Sequence, residues 1–502
     1  MNRDPSDGSA QRIPLDSRAG RWVLAGAVLG SAVAMLTGTV VNVALPAIGE
    51  AFDAGTSDLQ WVLNGYLLSL ASLILVGGAL GDRFGRRKLF VVGTAAFAIT
   101  SAGCGLAPSI EWLIGLRVLQ GVAAALLMPE SLAILEAVLE REDRGRAIGA
   151  WSALTGVAGA VGPLVGGMLV DLVSWRWAFF LNLPFAAAAL WIAVRWIPET
   201  RAATSSRLDV RGALSAFLAL GALTWTLIQA PRRGLGEPSI VLGGLLGLVA
   251  FALFLGTQWR GREPMMPLRM FARPQFGAAN AVTFVVYSAL GGVFFFLVVF
   301  LQTTLGFSAV AAGASLLPIT VLMLGLSSKA GDFAQRRGAR TPLTIGAVLI
   351  AAGLALMTRL DAGSTYLADV LPAIVVFGLG LSAMVAPVTS AVLAAAEEGR
   401  EGVASGINNA LSRTAQLIAV ATVPWIAGLE GGDLVDAAAM AAGFPRAMLV
   451  LAVVAAAGGL LAWLTISSAP LGTVEPACDQ KGKSHYHCAV DATPLREQAD
   501  AA

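Results

Sequence analysis

Charge is scarce in this 502-residue chain, in which Asp, Glu, Lys and Arg together account for 13% of residues. A soluble domain carries about 25%. Hydrophobic residues reach 56%, above the roughly 45–50% of soluble folds, so lipid must be the solvent for most of the chain. Histidine is scarcer still and stands only at 485 and 487, close to the carboxyl end. The apolar region therefore has no histidine, and it has neither clustered carboxylates nor a nucleophile–base pair. A membrane enzyme or sensor is not expected. The three cysteines are Cys104, Cys478 and Cys488, too scattered for a disulfide framework. A net charge of +2 gives no case for a nucleic-acid partner. Residues from Met1 to about Gly20 lack an apolar core with a small-residue cleavage site, so no signal peptide is expected and the first apolar helix is the targeting signal.

What is present is apolar runs. A bilayer core needs about 20 apolar residues in a helix, and runs of that length recur at 22–48, 59–81, 89–108, 111–138, 147–171, 177–197, 209–229, 238–258, 276–302, 309–331, 342–359, 366–395, 402–428 and 445–467. The expected fold is an all-α integral membrane protein of about fourteen transmembrane helices. Its orientation follows from arginine and lysine. With the amino end in the cytoplasm, the inner loops collect Arg83 to Lys88, then Arg141, Arg144 and Arg146, and later Arg336, Arg337 and Arg340. Only Arg176, Arg232, Arg233, Arg359 and Arg446 fall outside. Removing any one span would move later basic clusters to the wrong side. Both termini are thus expected in the cytoplasm, with the chain in the inner (plasma) membrane.

The sequence also repeats itself. Gly81-Asp82 followed by Arg86-Arg87 after the second span is matched by Gly331-Asp332 followed by Arg336-Arg337 after the tenth. Pro129 in the fourth span is matched by Pro387 in the twelfth. Parallel repeats with a site at their interface are a common transporter plan. The expected division is a cytoplasmic segment 1–20, a six-helix bundle 21–200, two linker helices 201–262, a second six-helix bundle 263–468 and a disordered cytoplasmic tail 469–502.

Three stretches carry chemistry. The first is Gly78-Ala-Leu-Gly-Asp82-Arg83-Phe-Gly85-Arg86-Arg87, at the inner end of the second span. Its glycines allow close helix approach and a tight turn. Asp82 is an acid at the membrane boundary, placed to meet a helix N-terminus or an arginine. The second is Arg117, inside an apolar helix where a charge is costly and usually functional. Gln120 and Gly121 share its face. A guanidinium does not titrate, so Arg117 cannot carry a proton itself but can hold an anion, depress the pKa of a nearby carboxylate or clamp helices. The third is the fifth span, where Gly159, Gly162, Gly166 and Gly167 flank Pro163. Small residues let helices pack closely in lipid, and the proline bends the helix.

The loop after the second span resembles the signature of the major facilitator superfamily, Gly-x-x-x-Asp-Arg-x-Gly-Arg-Arg. Arg117-Val-Leu-Gln120-Gly121 is similar to that family's embedded-arginine motif. Gly159-Ala-Val-Gly162-Pro163-Leu-Val-Gly166-Gly167 resembles the motif of its exporters. Thr39-Val-Val-Asn42-Val-Ala-Leu-Pro46 and Gln60-Trp61-Val-Leu-Asn64-Gly65-Tyr66 are similar to the fourteen-helix drug:proton antiporter branch. The resemblance spans about residues 20–467. It implies two six-helix bundles plus two extra helices, with secondary transport by alternating access. It also implies proton-coupled efflux of amphiphilic drugs or metabolites.

One position departs from that branch. Where the branch usually has a first-span aspartate, this chain has Thr37, which cannot titrate. The compensating candidate is Glu130, directly after Pro129, because a carboxyl in an apolar setting suits proton capture and release. It lies thirteen residues beyond Arg117, roughly 20 Å along a helix, so a plain solvated place at the inner interface is the alternative. Asn42, Asn64, Tyr66, Asn280 and Tyr287 are polar groups at apolar depth and are cavity candidates, as are Asn408 and Asn409. They could equally bond helices together. Arg413 reads as a structural clamp in the thirteenth span. The tail holds Cys478, His485, His487 and Cys488 at spacing poor for zinc. Gly482-Lys483-Ser484 lacks the strand and leading glycine of a phosphate loop. No metal, cofactor or ATP is therefore expected. The expected partners are protons, lipid and a small amphiphilic substrate, with the protein a monomer. The alternative function is an exporter or facilitator of one endogenous lipid or secondary metabolite, with altered or absent proton coupling.

Overall fold

The computed structural model describes residues 12–201, 208–261, 263–397 and 400–470. Fourteen helical passes run through them. They are α1 Arg18–Phe52, α2 Thr56–Phe84, α3 Arg86–Gly105, α4 Ile110–Val138, α5 Arg144–Leu172, α6 Trp177–Trp196, α7 Val210–Arg233, α8 Pro238–Arg260, α9 Pro274–Thr303, α10 Ala309–Arg337, α11 Arg340–Met357, α12 Tyr366–Ala394, α13 Glu401–Ala427 and α14 Ala437–Thr465. Thirteen are long and apolar enough to cross a membrane. The other, α13, is 27 residues long but interrupts its apolar residues with Asn408, Asn409, Arg413 and Gln416.

Capping groups sit where the chain re-enters. Ser17 accepts from the Gly20 amide ahead of α1, Asp209 from Gly212 ahead of α7, and Asp436 from Ala439 ahead of α14. Each satisfies an amide that the first turn leaves free. Three passes are broken, the first being α6, which a turn at Leu181 divides. α10 kinks at Leu316, just before Pro318, and α12 opens with one π turn over Tyr366–Val370. A proline in the first turn starts a helix cleanly but cannot continue the one before it.

The passes alternate, so one face of the protein carries the loops after α2, α4 and α10 with their arginine clusters. We call this the basic face. α1 to α6 and α9 to α14 form two six-helix bundles, and α7 and α8 are two extra helices. α7 lies against α2, with Gln229 donating to Ser57 at 3.3 Å and Gly221 against Leu68. α8 turns Leu242, Leu245, Leu248 and Leu253 outward, which suits lipid and not water.

Buried apolar residues fall into two clusters. One is confined to the first bundle and includes Phe90, Phe97, Ile134, Leu135 and Ala193, toward the basic face. The other joins the second bundle to the far ends of the first, from Val40 to Ile48 on α1 and Leu59 to Leu63 on α2. The bundles therefore share a core on the face opposite the basic one. On the basic face, the chain ahead of α1 is strapped under α5. Ile13 pairs with Val138 and Glu140, the Leu15 amide donates to Asp143, and Asp16 pairs with Arg146 at 2.6 Å. The Arg146 guanidinium holds the Asp16 carboxyl below the usual carboxylate range.

Candidate functional site

A cavity of 340 Å³ lies between the two bundles at mid-depth, within the range of pockets that hold drug-sized ligands. α1, α2, α4 and α5 form one wall and α9, α10, α12 and α13 the other. The lining is mostly aliphatic, with aromatic faces from Tyr66, Tyr287 and Phe294. Its polar groups include Thr39, Asn42, Arg117, Thr320, Arg413 and Gln416. Of the residues expected from sequence, Asn42, Tyr66, Arg117, Tyr287, Gly159 and Pro163 reach it. Asn64 and Asn280 do not. Asn280 accepts from Asn408 at 3.2 Å, while Asn408 also donates to Thr283 at 2.9 Å, so this pair ties α9 to α13. Asn64 is fully buried and its amide finds no partner.

Arg117 is held in place by its neighbours. Its Nε donates to the Val62 carbonyl at 2.8 Å and its Nη1 to Gln120 Oε1 at 2.6 Å. Gln120 passes the chain on to Ser101 at 2.7 Å, and Asn182 also donates to Ser101. The guanidinium lies over the Tyr66 ring, 4.5 Å from its centre. Four helices, α2, α3, α4 and α6, are thus tied through one arginine. No carboxylate touches it, so lowering the pKa of a nearby acid is not a role this geometry gives it. Arg413 was expected as a clamp within α13, yet it stands on the cavity wall. Its Nη1 lies 3.4 Å from Gln416 and its Nη2 3.7 Å from the sulfur of Met35 in the other bundle.

The glycine helix α5 closes one end of the site. A Cβ on Gly162 would strike Thr39, and one on Gly166 would strike Val40, so these two seat α5 on α1. A Cβ on Gly167 would strike the Ala309 carbonyl, and one on Gly313 the Pro163 carbonyl. There α5 and α10 meet backbone to backbone, across the two bundles. Asp171 completes the junction by accepting from the Ala309 amide at 3.0 Å and the Val310 amide at 2.8 Å. Gln60 donates to the Val420 carbonyl at 2.7 Å, and Gln302 to the Val43 carbonyl at 3.1 Å. All of these bonds lie toward the face opposite the basic one. Toward the basic face the same helices part, and added Cβ atoms on Gly145, Gly149 and Gly156 of α5 and on Gly325 of α10 would meet open space. The cavity is sealed at one end and open toward the basic end.

The profile of the Major Facilitator Superfamily matches residues 27–420. This chain belongs to that superfamily. It is 35% identical over 451 residues to the tetracenomycin C resistance and export protein of Streptomyces glaucescens, covering 88% of this chain and 82% of that one. It is 36% identical to the puromycin resistance protein of Streptomyces alboniger, covering 80% of each. A multidrug resistance protein of Mycobacterium tuberculosis is 33% identical, covering 76% of this chain and 71% of its own length. The transporter thus groups with the resistance and efflux branch of the superfamily. In fold it resembles a POT family transporter, with TM-score 0.67, 14% identity and coverage of 89% and 97%. It also resembles a D-xylose-proton symporter, with TM-score 0.63, 16% identity and coverage of 89% and 98%.

The superfamily's signature loop lies at the basic face of this transporter. Asp82 meets an arginine there and not a helix N-terminus, since Arg86 donates to it through Nε at 3.1 Å and Nη2 at 2.8 Å. Arg86 also reaches the Ala133 carbonyl of α4. Gly85 takes φ +115°, a conformation open to glycine and strained for other residues. Arg87 bonds Glu199 and Ile197 at the end of α6, and Arg83 lies over the Phe84 ring. Gly78 packs on Pro129. These contacts all stay within the first bundle.

Glu130 sits beneath this loop. It is 1% exposed, so the solvated interfacial place is ruled out. Its carboxyl packs against Gly81, and neither oxygen has a hydrogen-bond partner. It is outside the cavity, and Asp82, Arg86 and Glu199 lie within electrostatic reach. Thr37 is buried and gives its hydroxyl to the Val33 carbonyl of its own helix. The described residues contain no group of three or more metal-ligating side chains. Cys478, His485, His487 and Cys488 lie outside the described residues.

The residues missed from sequence are Gln60, Asp171 and Gln302, together with the cavity position of Arg413. Each polar side chain stands near the end of an apolar run, where water would account for it equally well. Only a partner in the distant half of the chain makes it part of the site.

Proposed function

We propose that this transporter exports amphiphilic antibiotic- or drug-like molecules by alternating access, with inward proton flow driving the export. The observation that carries this reading is the cavity between the bundles, sealed at one end and open at the basic one. Basic loops mark the cytoplasmic side, so the open end faces the cytoplasm, where an exporter loads. The resistance and export proteins among its relatives support the same direction. Movement then consists of opening the α5–α10 junction and closing the basic end, with the two bundles rocking around the cavity. The two termini lie in the cytoplasm, and the protein acts as a monomer in the plasma membrane.

Glu130 is the proposed proton carrier. Among the described residues it is the only buried acid, and an ionised carboxylate without donors is costly in such a place. Closing of the basic end over the loop after α2 changes the groups that face the carboxyl, which links its proton to the conformation. The test is drug accumulation and resistance in an efflux-deficient host, followed by substrate-driven proton flux in reconstituted vesicles. Wild type is expected to lower accumulation and move protons, and Glu130→Gln to move substrate without protons. Unchanged proton flux in Glu130→Gln would remove Glu130 from the mechanism, and an inert wild type across a broad panel would remove drug export.

Thr37 favours a second reading. With no titratable group at that position and no carboxylate in the cavity lining, export of one endogenous metabolite without proton coupling fits the same geometry. Collapsing the pH gradient separates the two, because only the coupled exporter stalls.

A further inference from the structure

The charge in the cavity is of one sign. Its lining contains Arg117 and Arg413 and neither Asp nor Glu. Among the described residues Glu130 is the only buried acid, and it lies under the loop after α2, outside the cavity. Two guanidinium groups therefore border one space with no counter-charge of the protein's own, Arg413 half-buried at its surface and Arg117 buried in its wall.

They are held differently. Arg117 spends two of its nitrogens on Val62 and Gln120 and offers one face to Tyr66. Arg413 is loosely held, with its Nε buried and unpartnered and its terminal nitrogens making only long contacts to Gln416 and the Met35 sulfur. Tyr66 and Tyr287 are the two phenol rings of the same lining. A guanidinium is planar, always charged and built to grip carboxylate-like groups in two-point fashion. An unpaired buried charge is costly, and an incoming anion removes that cost while a cation adds to it. The neighbouring Tyr66, Tyr287 and Phe294 supply flat aromatic faces.

We infer that this cavity selects planar aromatic molecules bearing a negative charge, gripped by Arg413 opposite Arg117 and stacked among Tyr66, Tyr287 and Phe294. Arg413 sets the charge preference and Arg117 mainly holds the wall in shape. This rests on the reading of the cavity as the export site. An inside-negative membrane favours the outward movement of such anions.

The test uses the full-length protein purified in detergent and two probes of one shape, naphthalene-2-sulfonate and (2-naphthyl)trimethylammonium, titrated by calorimetry. The sulfonate is expected to bind at least about tenfold more tightly than the ammonium. Arg413→Gln is expected to lose about tenfold in sulfonate affinity or more, and Arg413→Lys to keep most of it. If the ammonium binds as tightly as the sulfonate, or if Arg413→Gln binds the sulfonate like wild type, the charge preference is wrong. If Arg413→Gln does not fold, the wild-type comparison of the two probes decides alone. Drug export by wild type that the sulfonate does not inhibit would sink this inference and leave the export reading standing. Sulfonate binding without outward movement of any compound from vesicles would do the reverse.

Discussion

The two ends of the α5–α10 pair are built on opposite principles. At the end away from the basic face, Gly167 and Gly313 bring backbones into contact, Asp171 caps the first amides of α10, and Gln60 and Gln302 bond carbonyls of the other bundle. At the basic end, glycines on the same two helices face open space. Between α5 and α10 themselves the contact is made by few groups, beside the apolar core that the bundles share at this end. They are small side chains and single hydrogen bonds to backbone, not interlocked hydrophobic knobs. Parting α5 from α10 loses a handful of bonds of about 0.5–1.5 kcal/mol each, more for the charged one, together with part of the apolar core shared by the bundles there. A packed aliphatic interface of the same length would resist opening.

The comparison is broken most severely by filling the seal. Gly167→Leu places a side chain against the Ala309 carbonyl, where overpacking costs about 1–3 kcal/mol. That corresponds to a shift of about 5–150-fold away from the sealed state. Spin labels at Ser174 and Gly306, in the loops before α6 and α10, are expected to show a longer distance in this variant, and transport is expected to fail. An unchanged distance distribution would mean that the two helices do not close there. Asp171→Ala ranks next. It removes the carboxylate from two amides, and because Asp171 is exposed to solvent the two together contribute about 1.5 kcal/mol, the low end for a charged hydrogen bond. The sealed population should fall by about tenfold, with Asp171→Asn in between because one acceptor oxygen remains. Gln60→Leu ranks third. It removes a neutral donor from Val420, and the shift should be no more than several-fold. Equal effects from Asp171→Ala and Gln60→Leu would show that charge adds nothing at the junction.

How far these features were legible in the sequence depends on how many residues each one needs. The helices need only their own apolar runs, so fourteen passes and their alternation could be read directly, including α13 despite its asparagines and Arg413. The glycine stretch of α5 announced close approach, but not to what. Its partners on α1 and α10 appear only when the chain is folded. Glu130 was visible as an acid beside a proline, and its burial was not, because an acid near a helix end is as easily wet as dry. What hides it is Gly81 on the neighbouring helix. Of the polar residues expected at the cavity, Asn280 turned instead into a bond between α9 and α13. Helical spacing tells which residues share a face, not whether that face meets a cavity or another helix.

The smallest expected effect lies in the repeat itself. The loops after α2 and α10 share Gly-Asp and Arg-Arg, yet Asp82 is bonded to Arg86 while no ion pair involves Asp332 among the described residues. The Asp82–Arg86 pair is partly exposed, with its side chains 38% and 18% accessible, and a pair of that kind contributes about 0–1 kcal/mol. Asp82→Asn should therefore lower the melting temperature only slightly, and Asp332→Asn not at all. Arg86 gives the first loop one further role, since it also bonds the Ala133 carbonyl of α4 beside buried Glu130. If Asp82 acts only through its pair with Arg86, Arg86→Gln should cost more stability than Asp82→Asn, because it loses the α4 bond as well. Should Asp82→Asn instead block transport while leaving the melting temperature in place, Asp82 takes its working partner in the other conformation, where the basic end is closed. The halves would then be alike in sequence and unlike in labour, with the first loop as the switch and the second as its silent copy.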